Sequence, residues 1–90
     1  MSLKIAIIGA GSVYTQEIIE GLAQNKEKLP VTALTLMDIN EERLEIMYDF
    51  LNRYKAYHHL SFEIRQTTDL VEAVKGQDFI LTQIRVGGNQ

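Results

Sequence analysis

Residues 3 to 12 read Leu3-Lys4-Ile5-Ala6-Ile7-Ile8-Gly9-Ala10-Gly11-Ser12, an apolar, β-branched run that passes without a spacer into a glycine turn. A run of that length and branching suits a strand buried on both faces, as in a parallel sheet. The first glycine allows the chain to turn sharply, and the second lets backbone come close to a bound group. A helix starting there aims unpaired N–H groups at whatever occupies the turn, which makes it a seat for phosphate. This is the opening of a dinucleotide-binding α/β fold, although Tyr14 stands where the third glycine of G-x-G-x-x-G normally lies. A tyrosine there implies a wider gap between helix and strand, or a ring turned toward ligand.

The rest of the chain alternates in the way such a fold requires. Ser12 or a neighbour caps a helix running to about Asn25, with Ile18, Ile19, Leu22 and Ala23 at helical spacing. A polar turn through Pro30 leads to a second strand, Val31 to Met37, with Asp38 at its carboxyl end. Asn40 is placed to cap a second helix extending to about Tyr57, whose core stripe is Leu44, Met47, Leu51 and Tyr54. Ser61 to Gln66 makes a short third strand, Asp69 and Glu72 form the D-x-x-E of a capping box, and the helix they open ends at Gly76. Asp78 to Ile84 is the fourth strand. The order βαβαβαβ predicts a Rossmann-like parallel sheet with right-handed crossovers. A parallel sheet needs cover on both faces, and the second mononucleotide half is missing, so residues 1–90 are expected to be the N-terminal part of an NAD-binding domain.

Composition removes several function classes. Nine basic residues against twelve acidic give a net charge of −3, and no Lys/Arg cluster exists to attract nucleic acid or an anionic membrane. The chain has no cysteine, hence no disulfide framework, thiolate metal site or catalytic cysteine of its own. Apolar runs are short and Lys4 interrupts the first, so neither a signal peptide nor a membrane span is expected, and a cytoplasmic location is. No P-loop motif is present. Adjacent His58 and His59 point in different directions on a helix and are expected to favour its C-terminus rather than share a metal. Glu17 with Glu20, and Glu41 with Glu42, read as solvated helix charge.

The candidate site residues gather around the glycine turn. Gly9 would make the sharp turn and Gly11 let backbone approach a pyrophosphate, to which Ser12, Val13 and Tyr14 would present backbone N–H groups and Ser12 its hydroxyl; Ser12 equally suits plain helix capping. Thr15 is not expected to reach the phosphate. Asp38 either accepts hydrogen bonds from an adenosine ribose diol, its charge then favouring NAD over NADP, or merely caps the second helix. It lies 27 residues beyond Gly11, longer than the usual interval of about 20, and the turn before Pro30 absorbs the excess. Beyond the fourth strand, Arg85 offers a planar set of donors to a phosphate or sugar oxygen, or forms a structural ion pair.

With Gly9-Ala10-Gly11-Ser12, Met37-Asp38-Ile39-Asn40-Glu41-Glu42-Arg43 and Gln83-Ile84-Arg85-Val86-Gly87-Gly88 together, the chain closely resembles glycoside hydrolase family 4 over essentially its whole length. Val13-Tyr14-Thr15-Gln16 departs from the family's frequent pattern, in which proline follows that threonine. The resemblance implies a glycosidase outside the two-carboxylate mechanism, using NAD as a redox catalyst. Hydride leaves C3 of a phosphorylated sugar, the ketone acidifies the C2 proton, a base removes it, the aglycone is eliminated, and water addition with hydride return restores NAD. A divalent metal, usually manganese, polarises the sugar oxygens. By the same resemblance Gly9, Gly11, Ser12, Val13, Tyr14 and Asp38 form the NAD site, and Gln83 and Arg85 face the nicotinamide and substrate. Metal ligands and the catalytic base lie outside this chain, which alone is expected to be inactive. The Arg85-Val86-Gly87-Gly88 ending is most similar to the 6-phospho-β-glucosidases, acting on phosphorylated disaccharides or aryl glycosides as homo-dimers or tetramers. A malate- or lactate-dehydrogenase-like oxidoreductase and a non-catalytic NAD-sensing module are the alternatives.

Overall fold

A computed structural model describes residues 3–10, 14–25, 28 and 30–82, the side chain of Tyr14 excepted. Within it the expected alternation is present: β1 (Leu3–Ile8), α1 (Tyr14–Gln24), β2 (Val31–Met37), α2 (Glu41–Tyr57), β3 (Glu63–Thr67), α3 (Leu70–Val74) and β4 (Phe79–Thr82). All pairings are parallel, in the order β3-β2-β1-β4, which is the Rossmann-like arrangement. Residues 83 and 84, assigned to the fourth strand from sequence, lie outside the described residues.

The core is uneven in depth. Ile5 and Ile7 of β1, Leu34 and Leu36 of β2 and Ile64 of β3 pack with Ile19 and Leu22 of α1 and Leu44, Met47 and Leu51 of α2. The strand residues between them point to the other face by the two-residue period and are small: Ala6, Ala33 and Thr35, all buried. α3 carries the chain from one edge of the sheet to the other, and its buried residue is Ala73. β3 starts two residues later than the sequence suggests. Leu60 and Phe62 are drawn into the core beside α2, and pairing with β2 begins at Ala33 opposite Glu63.

Local chemistry sets the helix ends. Asn40 is the α2 cap, its side-chain oxygen accepting from the Arg43 N–H at 3.0 Å. Asp69 does the same for α3, accepting from the Glu72 N–H at 3.2 Å. At the far end of α2, Leu60 N–H donates to the Lys55 carbonyl at 2.9 Å and His59 N–H to the Ala56 carbonyl at 3.3 Å. This is the Schellman pattern, with His59 at φ 55° in the left-handed position usually given to glycine. His58 is the C-cap residue, its ring 4.2 Å from that of Tyr54 and edge-on to Tyr57.

Candidate cofactor site at the carboxyl edge of the sheet

Strand register brings the candidate residues to one edge. Ile8 of β1 is opposite Met37 of β2 and Thr82 of β4, and Met37 is opposite Thr67 of β3. Gly9 and Asp38 therefore each sit one residue past aligned strand ends, at the edge where open α/β sheets bind ligands.

A single carbonyl couples the two. Met37 oxygen accepts from both Gly9 N–H and Ala10 N–H, each at 2.8 Å. Gly9 adopts φ 82°, the left-handed region that glycine enters without steric cost, so this turn needs glycine at its first position. Ala10 is fully buried. Thr15, in the first turn of α1, is also fully buried and donates its hydroxyl to the Ala10 carbonyl at 2.8 Å. Gly9 and Ala10 are thus held on one side by β2 and on the other by Thr15 of α1. Thr15, not expected from the sequence to reach the phosphate, bonds to Ala10 and braces the turn. The signal available was a threonine five residues after a turn alanine, too common a pattern to single out.

Asp38 is half-buried, and its Oδ1 accepts the Asn40 N–H at 2.9 Å. Asp38 does not cap the helix: Asn40, two residues on, is the cap, and Asp38 shapes the turn before it. A carboxylate held this way, one residue beyond the carbonyl that anchors the glycine turn, suits a diol placed across that edge. Gly11, Ser12 and Val13, the ring of Tyr14, and Gln83 and Arg85 lie outside the described residues. The described part of the edge fits a dinucleotide: glycine where the backbone needs it, a helix whose first turn bonds to Ala10, and an acid at the end of β2.

A separate cleft of about 460 Å3 opens beside the start of α2, lined by Glu41, Leu44, Glu45, Gln66, Thr67 and Thr68. It includes neither Gly9 nor Asp38, and its two carboxylates repel phosphate, so it is not where the cofactor's phosphates belong. Among the described residues no three His, Cys, Asp or Glu side chains converge as metal ligands, and no helix is long and apolar enough to cross a membrane. The residues described here therefore do not fit the metal that the family resemblance implies.

The model of family 4 glycosyl hydrolases matches residues 4–90. The chain belongs to that family. It is 38% identical over 87 residues to the 6-phospho-beta-glucosidase of Escherichia coli K12, covering 94% of this chain and 19% of that protein. A 6-phospho-alpha-glucosidase from gut microorganisms, solved with NAD and Mn2+, superposes with a TM-score of 0.88 at 31% identity over 98% of this chain and 20% of its own. The 6-phospho-beta-glucosidase of Thermotoga maritima, solved with manganese, NAD+ and glucose-6-phosphate, gives 0.84 at 31% identity over 96% of this chain and 20% of its own. The chain thus spans about one fifth of the length of these family members, and both anomeric preferences occur among them.

Proposed function

We propose that residues 1–90 are the NAD-binding N-terminal portion of a cytoplasmic 6-phospho-β-glucosidase that acts as a homo-dimer or tetramer. The observation that carries the reading is the double hydrogen bond to the Met37 carbonyl, which fixes Asp38 against the Gly9 turn at the ligand-binding edge. Bound NAD supplies the hydride acceptor for oxidation at C3 of a phosphorylated glycoside, ahead of C2 deprotonation and elimination of the aglycone. This chain's own residues bind and orient. Gly9 makes the turn at which Gly11, Ser12, Val13 and Tyr14 take the pyrophosphate, Asp38 takes the ribose diol, and Gln83 and Arg85 line the nicotinamide side. No residue of this chain is assigned to manganese, whose ligands belong to the remainder of the enzyme, as does the catalytic base. Preference for the β-anomer rests on the similarity of the Arg85-Val86-Gly87-Gly88 run to the β-glucosidase subgroup.

The test is hydrolysis of p-nitrophenyl 6-phospho-β-glucoside by the full-length protein, beside its α-anomer, with NAD and manganese supplied or withheld. Cleavage of the β-substrate that needs both additions is the expected result. Cleavage of the α-substrate alone reverses the anomeric assignment, and NAD binding without cleavage of either moves the protein to the dehydrogenase-like or NAD-sensing reading. Asp38→Ala is expected to weaken NAD binding by about 1–3 kcal/mol, roughly 5- to 150-fold in Kd. Calorimetric titration giving an unchanged Kd removes Asp38 from the site.

A further inference from the structure

Helix α2 carries two apolar faces, and the described residues cover one. Leu44, Met47 and Leu51 are buried against the sheet. At 100° per residue, Ile46, Phe50 and Tyr57 fall within an arc of about 40°, turned by roughly 120° from the centre of that buried face. Ile46 is 64% exposed and Tyr57 80% exposed, while Phe50 packs partly against the core and stacks at 6.2 Å on Tyr54. An exposed isoleucine and tyrosine in line with a half-covered phenylalanine make a stripe rather than isolated surface residues.

Charge along the same helix says what fits the stripe. The first half carries Glu41, Glu42, Glu45 and Asp49 against Arg43; from Phe50 to Phe62 there is no acidic residue, and Arg53 and Lys55 stand there with His58 and His59. Acid early and base late is what any helix dipole favours. Here, however, Arg53 lies about 20° outside that arc and Asp49 about 60° outside it, both on the same flank. Both are exposed, and Arg53 Nε reaches the Asp49 backbone carbonyl at 3.4 Å, not its carboxylate. Laying a second α2 antiparallel across the stripe about a two-fold axis near Leu51 brings Asp49 of each copy to Arg53 of the other. It also opposes the two helix dipoles and covers Ile46, Phe50 and Tyr57. A parallel arrangement sets acid against acid.

We infer that the exposed face of α2 is a self-association surface, at which two copies of this chain pack antiparallel about a two-fold axis. The inference rests on the proposed homo-oligomer only in naming where the copies meet. In the full-length protein, sedimentation velocity is expected to show the assembly in the wild type and half its mass in Ile46→Glu/Tyr57→Glu, with an unchanged far-UV circular dichroism spectrum. Asp49→Arg and Arg53→Asp are each expected to raise the dissociation constant about tenfold, and the double exchange Asp49→Arg/Arg53→Asp to restore it, because a two-fold pair of swapped charges is again complementary. An assembly whose mass is indifferent to Ile46→Glu/Tyr57→Glu overturns the surface while leaving oligomerisation standing. Loss of folded structure in that variant overturns it as well, because the face is then covered by the protein's own chain. A wild type that is monomeric overturns the surface and the proposed assembly together.

Discussion

The two edges of the sheet are built on opposite plans. β3 and β4 each pair with one neighbour, in parallel, and each is short. Along β3, exposed Glu63 and Arg65 flank buried Ile64, and the two charges bond to each other at 2.9 Å. Hydrogen bonding and charge from Arg65 hold the Glu63 carboxyl below its ordinary range, and Glu63 raises the guanidinium in turn. A strand docking on that edge would have to strip water from both, which blunts the edge against pairing. β4 has no such protection. Phe79, Ile80 and Leu81 are 55%, 48% and 38% exposed, with no charge among them. Register places Phe79 and Leu81 beside Ile5 and Ile7, on the face of the main core but past the reach of α1 and α2, and Ile80 beside Ala6. β3 is made as an outermost strand, whereas β4 has the composition of an inner strand of a parallel sheet. The position of β4 is nevertheless fixed: Lys4 N–H donates to the Asp78 carboxylate and Asp78 N–H to the Lys4 carbonyl, both at 2.8 Å. An apolar strand held in register and left exposed by the described residues accords with a chain that spans about one fifth of its relatives' length.

The sharpest way to break this comparison is to truncate one side chain at each edge. Ile64→Ala removes a buried group and is expected to cost about 2–5 kcal/mol wherever it is measured. Leu81→Ala is expected to cost less than about 1 kcal/mol in the 90-residue chain, because its side chain is already partly in water. In the full-length protein the same change is expected to cost about 2–5 kcal/mol, as for a core leucine. Urea unfolding of both lengths decides it. Equal, small effects of Leu81→Ala in the two lengths would make β4 a true outer edge and end the distinction.

That β4 is apolar was legible in the sequence; that β3 is an edge was not. The strand-and-helix alternation follows from periodicity and turn residues, and β2 lies at the bounds that Val31 to Met37 suggest. Asn40 and Asp69 cap the helices they precede because short polar side chains next to apolar stripes have few other uses. What sequence could not provide was coupling across the sheet. The Met37 carbonyl that gathers Gly9 and Ala10 belongs to the backbone, so no residue type announces it. Thr15 resembles any helix threonine until the fold buries it under the turn. Positive φ at His59 was invisible for the same reason: the motif is recognised by its glycine, and here a histidine occupies the place.

The helices that accompany the two edges sharpen the contrast at lower energy. α2 covers β3 with seventeen residues, so Asn40→Ala is expected to cost about 1 kcal/mol. α3 has five residues and buries Ala73, so Asp69→Ala releases little that was packed and is expected to cost a few tenths of a kcal/mol. Thermal unfolding of the two variants side by side tests the difference, and equal losses would show that α3 supports its side of the sheet as strongly as α2 does.

The smallest effect lies at the helix ends, where both sides need the same left-handed residue and fill it differently. Gly76, after α3, has φ 73°, and a Cβ added there would meet nothing within 4 Å. The cost of Gly76→Ala is therefore conformational alone, about 0.5–1 kcal/mol. His59, after α2, already bears that cost at φ 55°. His59→Gly relieves it, and the larger freedom of glycine in the unfolded chain returns part of the gain, leaving about 0.5 kcal/mol of added stability. The two substitutions are expected to move Tm in opposite directions by a few degrees in a domain of this size. A fall in Tm for His59→Gly would mean that the imidazole contributes more to closing α2 than its backbone strain costs. The covered side of the sheet would then owe its helix end to a side chain, and the open side would owe its own to the absence of one.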